Sequence, residues 1–253
     1  MIPCFLVGKW YGGTAARLDD PAREADGLTI VLTGIQGRSL FEQQIALGIA
    51  DAGVSGRIEI VDWTTGNPLR FLQHLRGRDL AAEAAIHLAD RIAAYRMARP
   101  DRPVHIVGYS GGGYVALLIL EALPVEIDVT TATLMAPSVS PYLDVVPLSE
   151  KTQCGLTHYC SPFDLAVLGL LTSVIGTTDG WHSPSAGLVG FHPEGLVLPG
   201  EDSGTTSSPA VAGRYRQRRF RLAWLSQFHY GGHFGYANRV WACETLGRTL
   251  VEN

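Results

Sequence analysis

Short apolar runs alternate with helix-length stretches along most of this chain. Leu28-Thr29-Ile30-Val31-Leu32-Thr33 is a nearly unbroken apolar run closed by Gly34, the pattern of a strand buried on both faces. From Ser39 to Ala52 the apolar residues Leu40, Ile45, Leu47, Ile49 and Ala50 predict a helix opening on a serine cap, and Gly53 and Gly56 end it. Arg57 to Trp63 alternates like a strand, and Thr64 to Pro68 reads as a loop. Asp79 to Arg99, rich in alanine, predicts the longest helix, stopped by Pro100. Further strands are expected at Val104–Tyr109, Val129–Met135, Leu156–Ser161 and Phe220–Leu225, with helices over Gly111–Leu123 and Asn238–Leu250.

Strands separated by helix-length segments are βα units, which build a mostly parallel sheet with helices on both faces. The pattern yields six strands from Leu28 onward, and Cys4 to Tyr11 is a candidate antiparallel edge strand that would make seven. Residues 165–215 break the rhythm: a short helix over Leu165–Val174 gives way to Gly, Ser, Thr and Pro, with Gly200 to Gly213 reading as a surface loop. The expectation is a single α/β domain over residues 1–253 with an irregular insertion near 165–215 and no large cap domain.

Composition narrows the class. With 253 residues, 46% hydrophobic and 17% charged, the chain has ample material for a buried core and is not a disordered sequence. A formal net charge of -4 gives no reason to expect a nucleic-acid partner. The one basic cluster, Arg214 to Arg221, is local and reads as a solvated strand edge and its approach. Cys4, Cys154, Cys160 and Cys243 form no C-x-x-C; free buried thiols are expected, and a Cys154–Cys160 disulfide stays open. The apolar run Cys4 to Val7 is too short for a signal-peptide core or a membrane span. No stable membrane insertion is therefore expected, and localisation is expected to be cytoplasmic unless an export signal has been trimmed.

The sharpest chemical feature is Gly108-Tyr109-Ser110-Gly111-Gly112, a G-x-S-x-G placed directly between a strand and a helix. A serine on so tight a turn is held with strained torsions, and the flanking glycines let strand and helix approach. Ser110 is then pushed out at the carboxyl edge of the sheet, where open α/β sheets bind ligands. The helix that follows aims its first N–H groups at the same place. A phosphate cradle is the competing use of such glycines, but neither Gly-Lys-Ser/Thr nor G-x-G-x-x-G is present here.

With this elbow, the turn Thr33-Gly34-Ile35-Gln36-Gly37 after an early strand, and a histidine after the last strand, the chain resembles the α/β-hydrolase superfamily over residues 28–250. Small esterase- and lipase-like members are the nearest kind. The resemblance implies a Ser110 nucleophile and two oxyanion donors, the N–H of Gly111 and that of Ile35, with Gln36 the weaker candidate. Thr33 departs from the common lipase version, which has a histidine there. The superfamily order of serine, acid, histidine sets aside His74 and His87, which precede Ser110. His105 and His158 fall inside strands. His233, in Gly231-Gly232-His233-Phe234-Gly235, is the favoured base and His229 the alternative. The acid, expected after the strand before the last, is Asp164, with Asp179 and Asp144 as alternatives.

Together these imply a serine hydrolase that cleaves carboxylic esters of small or medium acyl groups through an acyl-enzyme, with no metal or organic cofactor. An acyltransferase or thioesterase using the same triad, and a non-catalytic binding protein on the same fold, are the competing functions. Trp181, Leu188 and Phe191 either form a partial cover over the site or pin the insertion to the core. Tyr109 and Tyr114 either line a pocket or pack.

Overall fold

The computed structural model describes residues 15–192, 210–212 and 214–252. The candidate edge strand Cys4 to Tyr11 and most of the Gly200 to Gly213 loop lie outside the described residues.

Seven strands form one sheet: β1 (Leu28–Leu32), β2 (Arg57–Val61), β3 (Val104–Tyr109), β4 (Thr131–Met135), β5 (Leu156–Cys160), β6 (Ala210–Ala212) and β7 (Tyr215–Arg219). Their order is β2-β1-β3-β4-β5-β7-β6. Every neighbouring pair is parallel except β6 with β7, so an antiparallel strand closes one edge of a parallel sheet. The strand expected from Val129 begins two residues later, Val129 contributing only an isolated bridge to Thr152.

The last parallel strand is not where its apolar run predicts. Phe220–Leu225 is not a strand; Leu222–Gln227 forms a 3-10 helix, and the strand is the preceding Tyr-Arg-Gln-Arg-Arg segment. Only Tyr215 and Gln217 of that strand are buried; Arg216 and Arg218 are half-buried and Arg219 is exposed. A polar strand of this kind carries no hydrophobic signal. The arginine cluster therefore belongs to an internal strand and its approach. Arg214 and Arg216 donate to the carbonyls of Thr152 (2.5 Å) and Cys154 (3.0 Å).

Each face of the sheet is covered. On one face Leu28, Ile30, Leu32, Val104, Ile106, Ala132 and Leu134 pack with residues of α2 (Arg78–Ala98) and α3 (Gly112–Ala122). On the other, Val31, Ile58, Ile60, Val107 and Met135 pack with α1 (Leu40–Asp51) and with the closing helical run that begins at Arg239. The alternation is the two-residue period of a pleated strand. Because both faces are covered, the inner strands β1, β3, β4 and β5 are buried at every position and mostly apolar, at about 1.5–3 kcal/mol per fully buried aliphatic side chain. The closing run passes through a π turn, Ala242–Gly247, between Arg239–Trp241 and Arg248–Val251.

The strand order reverses beside β1. The chain runs from β1 through α1 to β2, then crosses back through α2 to β3 on the other side of β1. The helices after β1 and β3 thus leave to opposite faces, and a crevice opens between the carboxyl ends of these two strands. Ser110 follows β3 directly and the Gly34–Gly37 turn follows β1. No disulfide joins Cys154 to Cys160: Cys160 is buried in β5, which pushes its thiol up to about 12, while Cys154 and Cys243 are half-buried. Among the described residues, no helix is long and apolar enough to cross a membrane.

Three histidines are buried as neutral rings. Burial lowers His105 to about 4, His158 to about 3 and His229 to about 4. In the unfolded chain each titrates near 6.5, so between these values only the unfolded state takes up the proton. Stability should therefore fall as pH drops from about 6.5 toward 4, by about 1.4 kcal/mol per pH unit for each histidine. Glu42 runs the other way, since burial raises its carboxyl and the folded state holds its proton longer as pH rises. Urea unfolding at pH 7 and pH 5 should show a clear loss at pH 5, and His105→Asn should remove about one proton's share of that slope. An unchanged slope in the variant would refute the assignment.

Candidate active site

The elbow is held from three sides. Ser110 has φ 55°, a left-handed conformation costly for a residue with a Cβ. Its N–H donates to the Met135 carbonyl (2.9 Å), and its own carbonyl accepts from Gly113 (3.0 Å) and Ser138 (3.2 Å). The glycines around it are sterically required. A Cβ on Gly108 would lie 2.6 Å from the Gly112 carbonyl oxygen, and one on Gly112 would lie 2.6 Å from the carbonyl oxygens of both Leu32 and Thr33. So α3 starts in direct contact with the ends of β1 and β3.

His233 reaches both partners at once. Its Nε2 is 3.0 Å from the Ser110 Oγ, and its Nδ1 is 2.6 Å from Asp164 Oδ2. All three residues are buried, the Asp164 side chain to 2% exposure, so the carboxylate–imidazole contact is shielded from water. With Nδ1–H donated to the carboxylate, Nε2 is left free to accept the serine hydroxyl. His233 opens a short 3-10 helix (His233–Ala237) and its carbonyl accepts the Tyr109 hydroxyl at 3.3 Å. Tyr109 itself is fully buried behind the elbow, and Tyr114 is half-buried on α3. Asp164 precedes the helical turn Leu165–Leu171, its N–H donating to Ser161 and its carbonyl accepting from Leu168.

The alternatives are engaged elsewhere. Asp179 accepts the Ser140 amide (2.9 Å), while Asp144 is exposed and caps Val146. His229 lies in a cage of Phe220, Trp224, Tyr236 and Trp241, and its Nδ1 accepts the Gly231 amide at 3.0 Å. It thus braces the loop that carries His233 without facing Ser110. His105 pairs with Thr131, and His158 with Tyr215 and Gln217, as core histidines. Leu188 and Phe191 are buried and tie the 165–192 segment to the core, whereas Trp181 is 64% exposed.

Beside the elbow lies the turn Gly34–Gly37, closed by the Gly37 N–H on the Gly34 carbonyl (3.0 Å). A Cβ on Gly111 would fall 3.4 Å from the Ile35 amide nitrogen, so the turn abuts the residue that opens α3. Among the described residues, neither the Ile35 nor the Gly111 amide donates to another acceptor.

Three side chains that the sequence did not single out fix this turn. His74 Nδ1 donates to the Ile35 carbonyl (2.8 Å) while its Nε2 accepts the Thr65 hydroxyl (2.8 Å). Trp63 Nε1 donates to the Thr33 carbonyl (2.7 Å). Glu42 receives donors from the turn itself. The Ser39-x-x-Glu42 capping-box spacing was a readable signal for the last; nothing in the spacing of His74 or Trp63 announced their roles. Among the described residues, no group of side chains is arranged to hold a metal ion.

No family model and no curated protein matches the sequence. Several solved structures do. A cutinase from Trichoderma reesei, in complex with a phosphonate inhibitor, is 13% identical, covers 100% of this chain and 89% of its own, and has a TM-score of 0.42. A cutinase-like protein from Cryptococcus sp. is 15% identical over 89% of this chain and 93% of its own, at 0.43. RedJ, with a polyethylene glycol molecule in its active site, is 14% identical over 91% and 92%, at 0.44. The strand order, the crossover at β1 and the elbow at Ser110 are those of the α/β-hydrolase fold.

The elbow sterics predict a contrast between two glycines. Gly112→Ala pushes a methyl onto two backbone carbonyls and should destabilise by about 1–3 kcal/mol. Gly232→Ala, with nothing within 4 Å of its new Cβ, should change stability by less than about 0.5 kcal/mol. Urea unfolding of both variants decides it; equal losses would show that α3 shifts freely.

Proposed function

We propose that this protein is a serine hydrolase that cleaves carboxylic esters, with Ser110 as nucleophile, His233 as general base and Asp164 as the orienting acid. The observation that carries the reading is the bridging position of the His233 ring, 3.0 Å from Ser110 Oγ and 2.6 Å from Asp164, with the serine on a strained elbow. A surface serine or a packed core histidine needs neither feature.

In this reading Ser110 Oγ attacks the acyl carbon while its proton passes to His233 Nε2. The carbonyl oxygen becomes an oxyanion received by the N–H groups of Ile35 and Gly111, the losing of one such donor being worth about 10²–10³ in turnover. The tetrahedral adduct collapses as His233 returns the proton to the leaving alkoxide, releasing the alcohol and leaving the acyl group on Ser110. Water then attacks the acyl-enzyme, giving its proton to His233, and the second adduct breaks down to the free acid and Ser110. Asp164 accepts the Nδ1–H throughout and stabilises the imidazolium. These steps use only side chains and backbone amides of this chain. The preferred substrates are esters of small or medium acyl groups, and the 165–192 segment is a partial cover pinned by Leu188 and Phe191.

A fluorophosphonate reports the nucleophile directly. Intact mass should show a single adduct on the wild type and none on Ser110→Ala, and p-nitrophenyl esters should be hydrolysed by the wild type only. Asp164→Asn should lower kcat by about 10⁴-fold by favouring the wrong imidazole tautomer. A folded wild type that takes no adduct would remove the hydrolase reading and leave a binding protein on this fold.

A further inference from the structure

We propose that Glu42 is a positioning residue for the oxyanion turn, a buried carboxylate that holds the peptide presenting the Ile35 N–H. The proposal rests on the reading of Ile35 as an oxyanion donor.

Glu42 is fully buried at 0% exposure, three residues into α1. One of its oxygens does what a capping box requires and more: Oε2 accepts both the Ser39 amide (2.9 Å) and the Ser39 hydroxyl (2.6 Å). The other oxygen leaves the helix. Oε1 accepts the Gly34 amide (3.2 Å) and the Gln36 side-chain amide (2.7 Å), eight and six residues upstream. All four partners donate, which is the arrangement that suits an ionised carboxylate. A helix cap alone does not call for this. A capping glutamate works at a solvated helix end where it keeps its hydration, whereas taking a carboxylate out of water carries a desolvation penalty that its partners must offset. The burial is explained by what the second oxygen holds.

What it holds is one side of the donor peptide. The Ile35 N–H belongs to the Gly34–Ile35 peptide, whose carbonyl accepts the Gly37 N–H at 3.0 Å. The peptide before it is fixed through the Gly34 N–H on Glu42. The peptide after it is fixed through the Ile35 carbonyl on His74. The Gln36 side chain is folded back over Gly34, its Oε1 2.5 Å from where a Cβ would stand, and Glu42 keeps it there. With both neighbouring peptides and its own carbonyl engaged, the donor peptide has no low-cost rotation left. Preorganised donors of this sort are effective because they need not reorganise as charge develops.

Glu42→Gln tests this, since an amide of the same shape cannot accept all four donors. Active sites of wild type and variant are first counted by fluorophosphonate labelling. Per titrated site, kcat on p-nitrophenyl butyrate should fall about 10- to 100-fold, as small misplacements of catalytic groups do, with KM changed less than about threefold. Affinity for a trifluoromethyl ketone, whose hemiketal oxyanion occupies the same donors, should fall in parallel. A purely structural role would lower the melting temperature but leave kcat per site and ketone affinity unchanged, and that result overturns the proposal. If Glu42→Gln does not fold, Gln36→Met, which removes one donor and leaves the helix cap whole, is judged by the same two readouts. A wild type that takes no label would sink the hydrolase reading instead, a failure distinct from that of Glu42.

Discussion

A serine at φ 55° between a strand and a helix persists only where its surroundings leave the backbone no alternative. Here the Ser110 N–H and C=O are taken by Met135, Gly113 and Ser138, and α3 begins against the carbonyls that end β1. That contact has wide consequences. It requires glycine at positions 108 and 112, sets how closely α3 packs under the sheet, and brings the turn after β1 against Gly111. The strained turn thus links Ser110 and the Gly34–Gly37 turn into one rigid corner at the point where the strand order reverses.

Around that corner, buried polar groups divide by what they are paired with. His105, His158 and His229 are enclosed by Thr131, by Tyr215 and Gln217, and by an aromatic cage, and burial keeps them neutral. His233 is equally buried but lies between a carboxylate and a hydroxyl, the two partners that make its tautomer definite. Glu42 and His74 hold the peptides on either side of the Gly34–Ile35 peptide. His229 does the same for the His233 loop through the Gly231 amide. Both segments beside Ser110 are therefore tied down by side chains from elsewhere, as rigid positioning requires.

The architecture was legible because it is written in local periodicity. The buried strands Leu28–Leu32 and Val104–Tyr109 and the serine-capped helix Leu40–Asp51 fall within a residue or two of where their patterns put them. The strand Tyr215–Arg219 did not, for a physical reason. It buries only Tyr215 and Gln217, and the three residues between and after them are half-buried or exposed arginines, so it carries no apolar run. The apolar run after it, Phe220 to Leu225, is apolar because Phe220 and Trp224 join the aromatic packing around His229. Hydrophobicity alone does not separate these two uses.

What the sequence by itself determined is the βα order, the elbow at Ser110 and a short roster of acids and histidines, since each depends on residues near one another in the chain. Tertiary structure decided which of these meet. Asp164 lies 69 residues from His233 and His233 lies 123 from Ser110, and only parallel pairing of β3, β4, β5 and β7 brings their carboxyl ends to one edge. The same holds for Glu42 and His74, unremarkable in the chain, whose roles arise from burial beside a turn they share. Burial and long-range hydrogen bonding are properties of packed surfaces, and no local pattern encodes them.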